Sequence, residues 1–437
     1  MQCRFFRPVS LFRLIQTFSP HSFTSLRISA PGSTLQHVNY QSTEVEKKLF
    51  TPGPLCTTST VREAMLKDLG SRDIQFIQCV RNIRQKILDI AQVSNLEYTS
   101  IPVQGSGTYA VEAVFQSTVP RSDGKVLILE NGAYGKRIAK ICEVAGISKR
   151  VLSFPESSAV NVNVVEDVLK TDSSFTHVAI VHCETSSGVF NPIVDVGQIV
   201  KKYLQNCIYF VDAMSSFGAV PLDFAAGDID FMVSSANKCL QGVPGFSYVV
   251  AKTRKLLECR GYSRCLTLDL YDQYQNLEAT GQFRFTPPTH TMLAFQQAIV
   301  EYEQEGGLKG RSARYMENRS ILGKGMKTLG FKELLTDPNQ ANYIITSFFF
   351  PSDPHFDFNT FYSKLNDLDF VIYPGKVLEA NCFRIGTIGE VYPSDVKELL
   401  KRNAAFLSLE KEEGGTILIM DSVESRTPSA SDISCSA

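Results

Sequence analysis

The sequence predicts an α/β protein whose central sheet is largely parallel and covered by helices on both faces. Short, continuous apolar runs recur along the chain, as expected of strands buried on both faces. Helical patterns lie between most of these runs, which is the alternation that parallel strands and crossover helices produce. The predicted strands are residues 126–130, 178–182, 207–212, 230–234 and 246–250.

The pattern changes after Gly306 and Gly307, where a compact α+β domain is predicted. Its elements are a basic helix at 309–329, strands at 343–350, 369–373 and 382–387, a helix near 357–367 and a last helix from about Ser394 to Leu407. The predicted division of the chain is an N-terminal segment at 1–43, an arm at 44–72, a large domain at 73–305, a small domain at 306–411 and a tail at 412–437.

The two ends of the chain differ in composition from the rest. Residues 1–43 contain several arginines and many hydroxyl side chains, and no Asp or Glu precedes Glu44. This composition is typical of a mitochondrial transit peptide. A merely disordered N-terminus, with the protein in the cytoplasm, is the alternative. The Ser-rich tail at 412–437 is predicted to be disordered.

Composition excludes several classes of protein. The formal net charge of −1 gives no electrostatic reason to expect a nucleic-acid partner. The 11 cysteines are scattered with no CxxC pair, and their odd number argues against a disulfide framework and favours reduced thiols. No apolar run is long enough to cross a membrane. No spacing of His, Cys, Asp and Glu indicates a metal site.

The candidate catalytic residues follow two of the predicted strands. Lys238 comes after the strand at 230–234 and before a Gly/Pro-rich turn, and Asp212 ends the strand at 207–212. Taken alone, Lys238 could be a solvated lysine and Asp212 could be a helix-capping aspartate. Together, at the carboxyl ends of nearby strands, they suit pyridoxal 5′-phosphate (PLP). The lysine would carry the cofactor's aldehyde, and the acid would keep the pyridine nitrogen protonated.

A third candidate is the Gly-rich turn in IPVQGSGTYAVEA at 101–113, which opens an amphipathic helix. Backbone N–H groups at such a helix start, with the hydroxyls of Ser106 and Thr108, can form a phosphate site that includes Gly107. A plain tight loop is the alternative. The segment has neither a GxxxxGK[ST] nor a full GxGxxG pattern, so nucleotide binding explains it less well.

These motifs resemble the class V, fold-type I PLP-dependent aminotransferases, from about Leu49 to about Leu407. Within this family they are most similar to the branch that acts on 2-aminoethylphosphonate. The shared motifs are TPGPL (51–55), QGSGTYAVEAV (104–114), NGAYGKR (131–137), FVDAMSSFG (210–218), SSANKCLQGVPGF (234–246), FTPPTHT (285–291), VIYPGKV (371–377) and FRIGTIGEVYP (383–393).

The resemblance implies roles for four further residues. Tyr134 would stack on the cofactor ring, and Thr185 would hydrogen-bond its phenolic oxygen. Thr286 would cross a dimer interface to the cofactor phosphate of the other subunit. Arg384 would bind the acidic group of the substrate. From the residues alone, the alternatives are an ordinary helix aromatic for Tyr134 and a helix-capping hydroxyl for Thr185. For Thr286 the alternative is a turn before a helix, and for Arg384 it is a surface arginine.

The resemblance also implies a reaction. The amino group of 2-aminoethylphosphonate would pass to pyruvate through a Schiff base between PLP and Lys238, giving phosphonoacetaldehyde and L-alanine. The protein would be a homodimer with shared active sites. Another class V activity, of the alanine– or serine–glyoxylate type or a lyase, remains an alternative. A non-catalytic paralogue is less favoured, because Lys238, Asp212 and the Gly-rich turn are all present.

Overall fold

The computed structural model describes residues 46–337, 340–353, 356–373 and 381–412. The predicted transit segment, residues 413–437 of the tail and the Pro374–Val377 part of the VIYPGKV motif lie outside these residues. The described residues from Glu46 onward form one compact unit. The boundaries between the arm, the large domain and the small domain therefore stay predictions.

The strands are β1 Lys48–Phe50, β2 Tyr98–Gln104, β3 Lys125–Glu130, β4 Ser148–Ser153, β5 His177–Val181, β6 Cys183–Glu184, β7 Val189–Phe190, β8 Ile208–Asp212, β9 Phe231–Ser235, β10 Phe246–Lys252, β11 Ile345–Phe349, β12 Phe370–Ile372 and β13 Cys382–Gly386. The helices are α1 Ser59–Glu63, α2 Ile74–Ala91, α3 Gly107–Thr118, α4 Ala133–Val144, α5 Val162–Thr171, α6 Ile193–Tyr203, α7 Thr253–Glu258, α8 Leu270–Thr280, α9 Thr289–Gln304, α10 Gly307–Thr328, α11 Phe358–Asp367 and α12 Pro393–Glu412, with a short 3₁₀ turn at Ala64–Leu66.

A seven-stranded sheet forms the centre, in the order β2-β10-β9-β8-β5-β3-β4. Strand β10 runs antiparallel to both of its neighbours, and every other pairing is parallel. The prediction of an α/β fold with a mostly parallel sheet is therefore confirmed. Because the parallel strands end at one edge, the residues that follow β3, β5, β8 and β9 come together there.

The five predicted strands are all present, and the two that the sequence did not reveal, β2 and β4, are the edge strands. Strand β2 contains Pro102, and β4 reads SKRVLS. An edge strand has one unpaired side and tolerates proline and polar residues. Neither strand therefore contains the continuous apolar run that identifies the strands at the centre.

The C-terminal residues build a second apolar core beside two small sheets. Strands β11 and β13 pair antiparallel, and β12 pairs in parallel with β1 of the N-terminal arm. Phe50 of β1 packs in this core with Phe348, Phe361 and Phe383. The predicted helices and strands of this part are confirmed to within a few residues, except that α12 extends to Glu412.

Within the described residues, no helix is both long enough and apolar enough to cross a membrane.

Candidate active site

Lys238 lies on the turn after β9, at the carboxyl edge of the large sheet. Its Nζ donates a hydrogen bond of 2.8 Å to the carbonyl oxygen of Pro52, in the TPGPL turn. Burial lowers the pKa of Lys238 to about 8, against a smaller opposing effect of the Asp212 carboxylate. A lysine with a pKa near 8 supplies neutral amine at physiological pH, as a nucleophile must.

The turn that carries Lys238 is held by the C-terminal part of the chain. Gln241 has a left-handed backbone conformation, with φ at 58°. Its Nε2 donates to the Tyr315 hydroxyl at 2.7 Å and to the Gly389 carbonyl at 2.6 Å. Buried Arg311, on α10, donates to the Cys239 carbonyl next to Lys238. These bonds fix the backbone that follows Lys238 to α10 and to the segment of Gly389.

Asp212 ends β8, on the strand next to β9, and its side chain is 4% exposed. Its Oδ1 accepts a hydrogen bond of 2.9 Å from the backbone N–H of Met214. Burial raises the pKa of Asp212 to about 6, and Met214 and the nearby cations oppose this rise. At neutral pH the carboxyl is therefore largely ionised, and it accepts few hydrogen bonds from the protein. Such a carboxylate is suited to accept a hydrogen bond from a protonated ring nitrogen.

One cavity of about 380 Å³ is lined by Lys238, Asp212 and the predicted phosphate turn. Ser106 is the residue before α3, and its side chain makes no capping bond to the helix. A Cβ atom on Gly107 would lie 2.1 Å from the end of the Met214 side chain, which would have to move to make room for it. The residues that begin α3, whose first backbone N–H groups have no partner within the helix, thus line the same cavity as Lys238 and Asp212.

Tyr134 also lines this cavity, in the first turn of α4. Its backbone N–H donates to the Glu184 carboxylate at 3.2 Å. Buried Glu184 also accepts a bond of 2.6 Å from the Ser186 hydroxyl, and burial raises its pKa to about 6. Glu184 thus holds the start of α4, and with it the position of Tyr134.

Thr185 follows β6 and is completely buried. Its Oγ1 forms no hydrogen bond of normal geometry within the described residues. Burial raises the pKa of the nearby Tyr134 hydroxyl, and Thr185 lies close enough to oppose part of this rise. A buried hydroxyl without a full partner is costly unless a ligand supplies one. This observation fits the hydrogen bond to a bound cofactor that the resemblance implies.

Arg384 lies in the centre of β13, 9% exposed, and borders this group from the C-terminal part. Its Nη1 donates to the Thr185 carbonyl at 2.7 Å, and its guanidinium carbon lies 4.8 Å from the Tyr373 ring centroid. Its buried Nε has no hydrogen-bond partner in the described part of the chain. Burial lowers its pKa, while Tyr134 and Glu184 oppose this effect.

Thr286 is exposed and is not among the residues that line this cavity. Its backbone carbonyl accepts a hydrogen bond of 2.5 Å from the Gln104 side chain. Gln104 ends β2 and directly precedes the Gly-rich turn. Thr286 is thus near the outer side of that turn, and its predicted role in a second subunit stays a prediction.

The structure brings Lys238, Asp212, Ser106, Gly107, Thr108 and Tyr134 to one cavity, with Thr185 and Arg384 adjoining Tyr134. Sequence reasoning missed two residues there: the buried Glu184 and the cavity-lining Arg137. Arg137 ends the NGAYGKR motif, and Glu184 directly precedes Thr185. The side-chain directions that make them part of the site are set by the fold.

The family model "Aminotransferase class-V" matches residues 60–366. The chain belongs to the class V aminotransferases. It is 50% identical over 354 residues to the 2-aminoethylphosphonate–pyruvate transaminase of Vibrio cholerae, covering 80% of this chain and 95% of that protein. It is 46% identical over 352 residues to a bifunctional phosphonoacetaldehyde hydrolase/aminoethylphosphonate transaminase of Clostridioides difficile, and spans 55% of that protein's length.

Among solved structures, the alanine–glyoxylate aminotransferase of Nostoc sp. matches with a TM-score of 0.77 and 24% identity, over 84% of this chain and 97% of that one. This likeness shows the fold-type I architecture. As a class V aminotransferase, the protein is a PLP-dependent enzyme. The residues present fit that cofactor. Lys238 has an amine whose pKa is lowered to about 8, and Asp212 is a carboxylate that is largely ionised at neutral pH. The start of α3 can bind a phosphate, and the buried Thr185 hydroxyl has no full hydrogen-bond partner within the described residues.

Proposed function

We propose that the protein transfers the amino group of 2-aminoethylphosphonate to pyruvate, giving phosphonoacetaldehyde and L-alanine. The observation that carries this proposal is Arg384, a buried guanidinium beside the cofactor cavity whose Nε has no partner within the described residues. Such a group is suited to an acidic oxygen, of phosphonate in one half-reaction and carboxylate in the other. The names of relatives that are up to 50% identical agree with this reaction.

The roles of the side chains in this proposal follow from their positions. When bound, PLP supplies an aromatic ring that accepts the electron pair released at the substrate carbon. Lys238 would hold the cofactor aldehyde and, as a free amine, would act as general base and acid for the proton of the substrate carbon. Asp212 would keep the ring nitrogen protonated. Tyr134 would stack on the ring, Thr185 would donate to its phenolic oxygen, and Ser106, Gly107 and Thr108 would bind the phosphate.

The test of the reaction is a single half-reaction. The purified PLP enzyme is mixed with 2-aminoethylphosphonate in the absence of any oxo acid, and the absorbance spectrum is followed. Conversion of the yellow lysine-bound cofactor to pyridoxamine phosphate, reversed by pyruvate, is the expected result. If alanine or serine converts the cofactor and 2-aminoethylphosphonate does not, the enzyme is a glyoxylate-type transaminase and the proposal is wrong.

We also propose a homodimer in which Thr286 of each chain reaches the cofactor phosphate of the other. The supporting observation is an exposed apolar area beside Thr286, which contains Phe285 at 46%, Tyr109 at 53% and Leu266 at 72% exposure. Apolar areas of this kind mark protein interfaces. A cavity of about 260 Å³ between Gln104 and Phe285 could accept side chains of a second copy.

The dimer proposal predicts complementation between two impaired variants. Lys238→Ala and Thr286→Ala, refolded together, form mixed dimers in which one site has both Lys238 and the Thr286 of the neighbouring chain. Activity of the mixture should exceed the average of the two separate variants. No gain, when mass measurement shows that mixed dimers have formed, would contradict sharing of the site.

We infer import into mitochondria from the composition of residues 1–43 alone. The support is the presence of Arg4, Arg7, Arg13 and Arg27 together with the absence of Asp and Glu. The relatives reported above are bacterial and give this inference no support. A fluorescent protein fused to residues 1–43 should enter mitochondria of a eukaryotic cell. Cytoplasmic fluorescence would favour the alternative.

A further inference from the structure

Arg137 lines the cofactor cavity, yet nothing in the mechanism above uses it. It lies one helical turn after Tyr134 on α4, so both side chains extend toward the same side. Its guanidinium carbon lies 4.9 Å from the Tyr134 ring centroid. Its Nη1 donates to the Thr108 hydroxyl at 3.3 Å. The guanidinium is therefore next to the turn that is expected to bind phosphate.

The charge of Arg137 has no carboxylate partner in the part of the chain that the structure describes. The preceding residue provides a contrast, because Lys136 pairs with Glu156 at 3.4 Å and with Glu130 at 4.0 Å. The field of Arg137 instead reaches the cavity, where it opposes the effect of burial that raises the pKa of Asp212 and adds to the effect of burial that lowers the pKa of Lys238. An unpaired cation that faces a cavity is complementary to an anionic ligand.

We propose that Arg137 binds the phosphate of PLP and completes the anion site formed by Ser106, Gly107 and Thr108. Two other cations are near, but Lys238 is needed as a neutral amine, and Arg384 donates to the Thr185 carbonyl and does not line the cavity. Arginine offers a planar fork of donors that matches phosphate oxygens. The phosphonate of the substrate has similar chemistry, but the contact with Thr108 assigns Arg137 to the cofactor.

The test compares PLP with pyridoxal, which has the same aldehyde and lacks the phosphate. The dissociation constants of both are measured by absorbance titration of the apoenzyme, without substrate. Arg137→Ala should weaken PLP binding about tenfold or more and leave pyridoxal binding nearly unchanged. Arg137→Lys should recover part of the loss, because a point charge remains but the fork of donors does not.

Two control variants separate this role from others. Lys136→Ala removes a cation from the same helix turn but should not alter the ratio of the two dissociation constants. Arg384→Ala should likewise leave that ratio unchanged. Equal weakening of PLP and pyridoxal by Arg137→Ala would overturn the proposal, as would no weakening of either. Normal PLP binding with a raised KM for 2-aminoethylphosphonate would assign Arg137 to the substrate and also overturn it.

Discussion

Lys238 and Asp212 lie at the ends of neighbouring strands of the seven-stranded sheet, whereas Arg384 lies in a two-stranded sheet of the C-terminal part. The first pair is held by one continuous core, and the spacing of adjacent strands sets the distance between the two side chains. Arg384 reaches the same site only because β13 packs against the segment of Thr185. The proposed cofactor half thus depends on the seven-stranded sheet, and the proposed substrate half on the contact of β13 with the segment that follows β6.

This difference predicts that changes in the cofactor half affect the chemistry, whereas changes in the substrate half affect mainly the recognition of acidic substrates. Glu184 belongs to both, since it holds Tyr134 through a backbone hydrogen bond and its charge acts on Arg384. Variants of these residues can therefore test whether the two halves of the site are affected separately.

The largest effect is expected for Lys238→Ala. The variant has no amine to bind the aldehyde or to move the proton, so turnover should fall by more than about 10³-fold. The yellow absorbance of lysine-bound PLP should disappear in the same protein. Wild-type-like circular dichroism would show that the fold is intact. Retained transamination by this variant would refute the role of Lys238.

Arg384→Ala should raise the KM for 2-aminoethylphosphonate and for pyruvate by about 10- to 100-fold, because a charge-assisted, partly bidentate contact is lost. The dissociation constant of PLP should change much less. Arg384→Lys serves as the matched control and should have an intermediate KM. If PLP binding weakens as much as substrate binding, Arg384 is structural and the two halves of the site are not separable.

The pH dependence of cofactor capture by the apoenzyme should reflect Lys238. Its pKa is lowered to about 8, so the neutral amine is a minor form at pH 7 and the main form at pH 9. The rate of PLP capture should therefore rise about eight- to tenfold over this interval and then level off. Stopped-flow absorbance measures the rate. A rise that continues toward pH 10.5 would mean that burial does not perturb this lysine.

The smallest effect is expected for Glu184→Gln, which keeps an acceptor for the Tyr134 N–H but removes the charge. Its kcat and KM should stay within about threefold of wild type. Glu184→Ala leaves buried donors unpaired and should lower the free energy of unfolding by about 1–3 kcal/mol. Urea denaturation of both variants tests this. Equal destabilisation by the two changes would mean that the charge, rather than the hydrogen bonds, holds α4.

Much of this fold could be predicted because its central strands are buried on both faces and consist of apolar runs. Strands β8 and β9 were evident from IYFV and FMV, and the polar residues that end or follow them marked the edge where ligands bind. The edge strands β2 and β4 were missed because their residues need not be apolar. Glu184 and Arg137 were missed because neighbouring residues in the sequence do not reveal which side chains face a shared cavity.

The sequence by itself determined the parallel core, the positions of Lys238 and Asp212 on it and the Gly-rich start of α3, because these depend on local patterns with periods of a few residues. Only the tertiary structure decided that Arg384 contacts the segment of Thr185, that Gln241 and Arg311 hold the turn of Lys238, and that Arg137 contacts Thr108. These contacts join residues between 29 and 199 positions apart. No local pattern encodes them, because they arise when separate elements pack together.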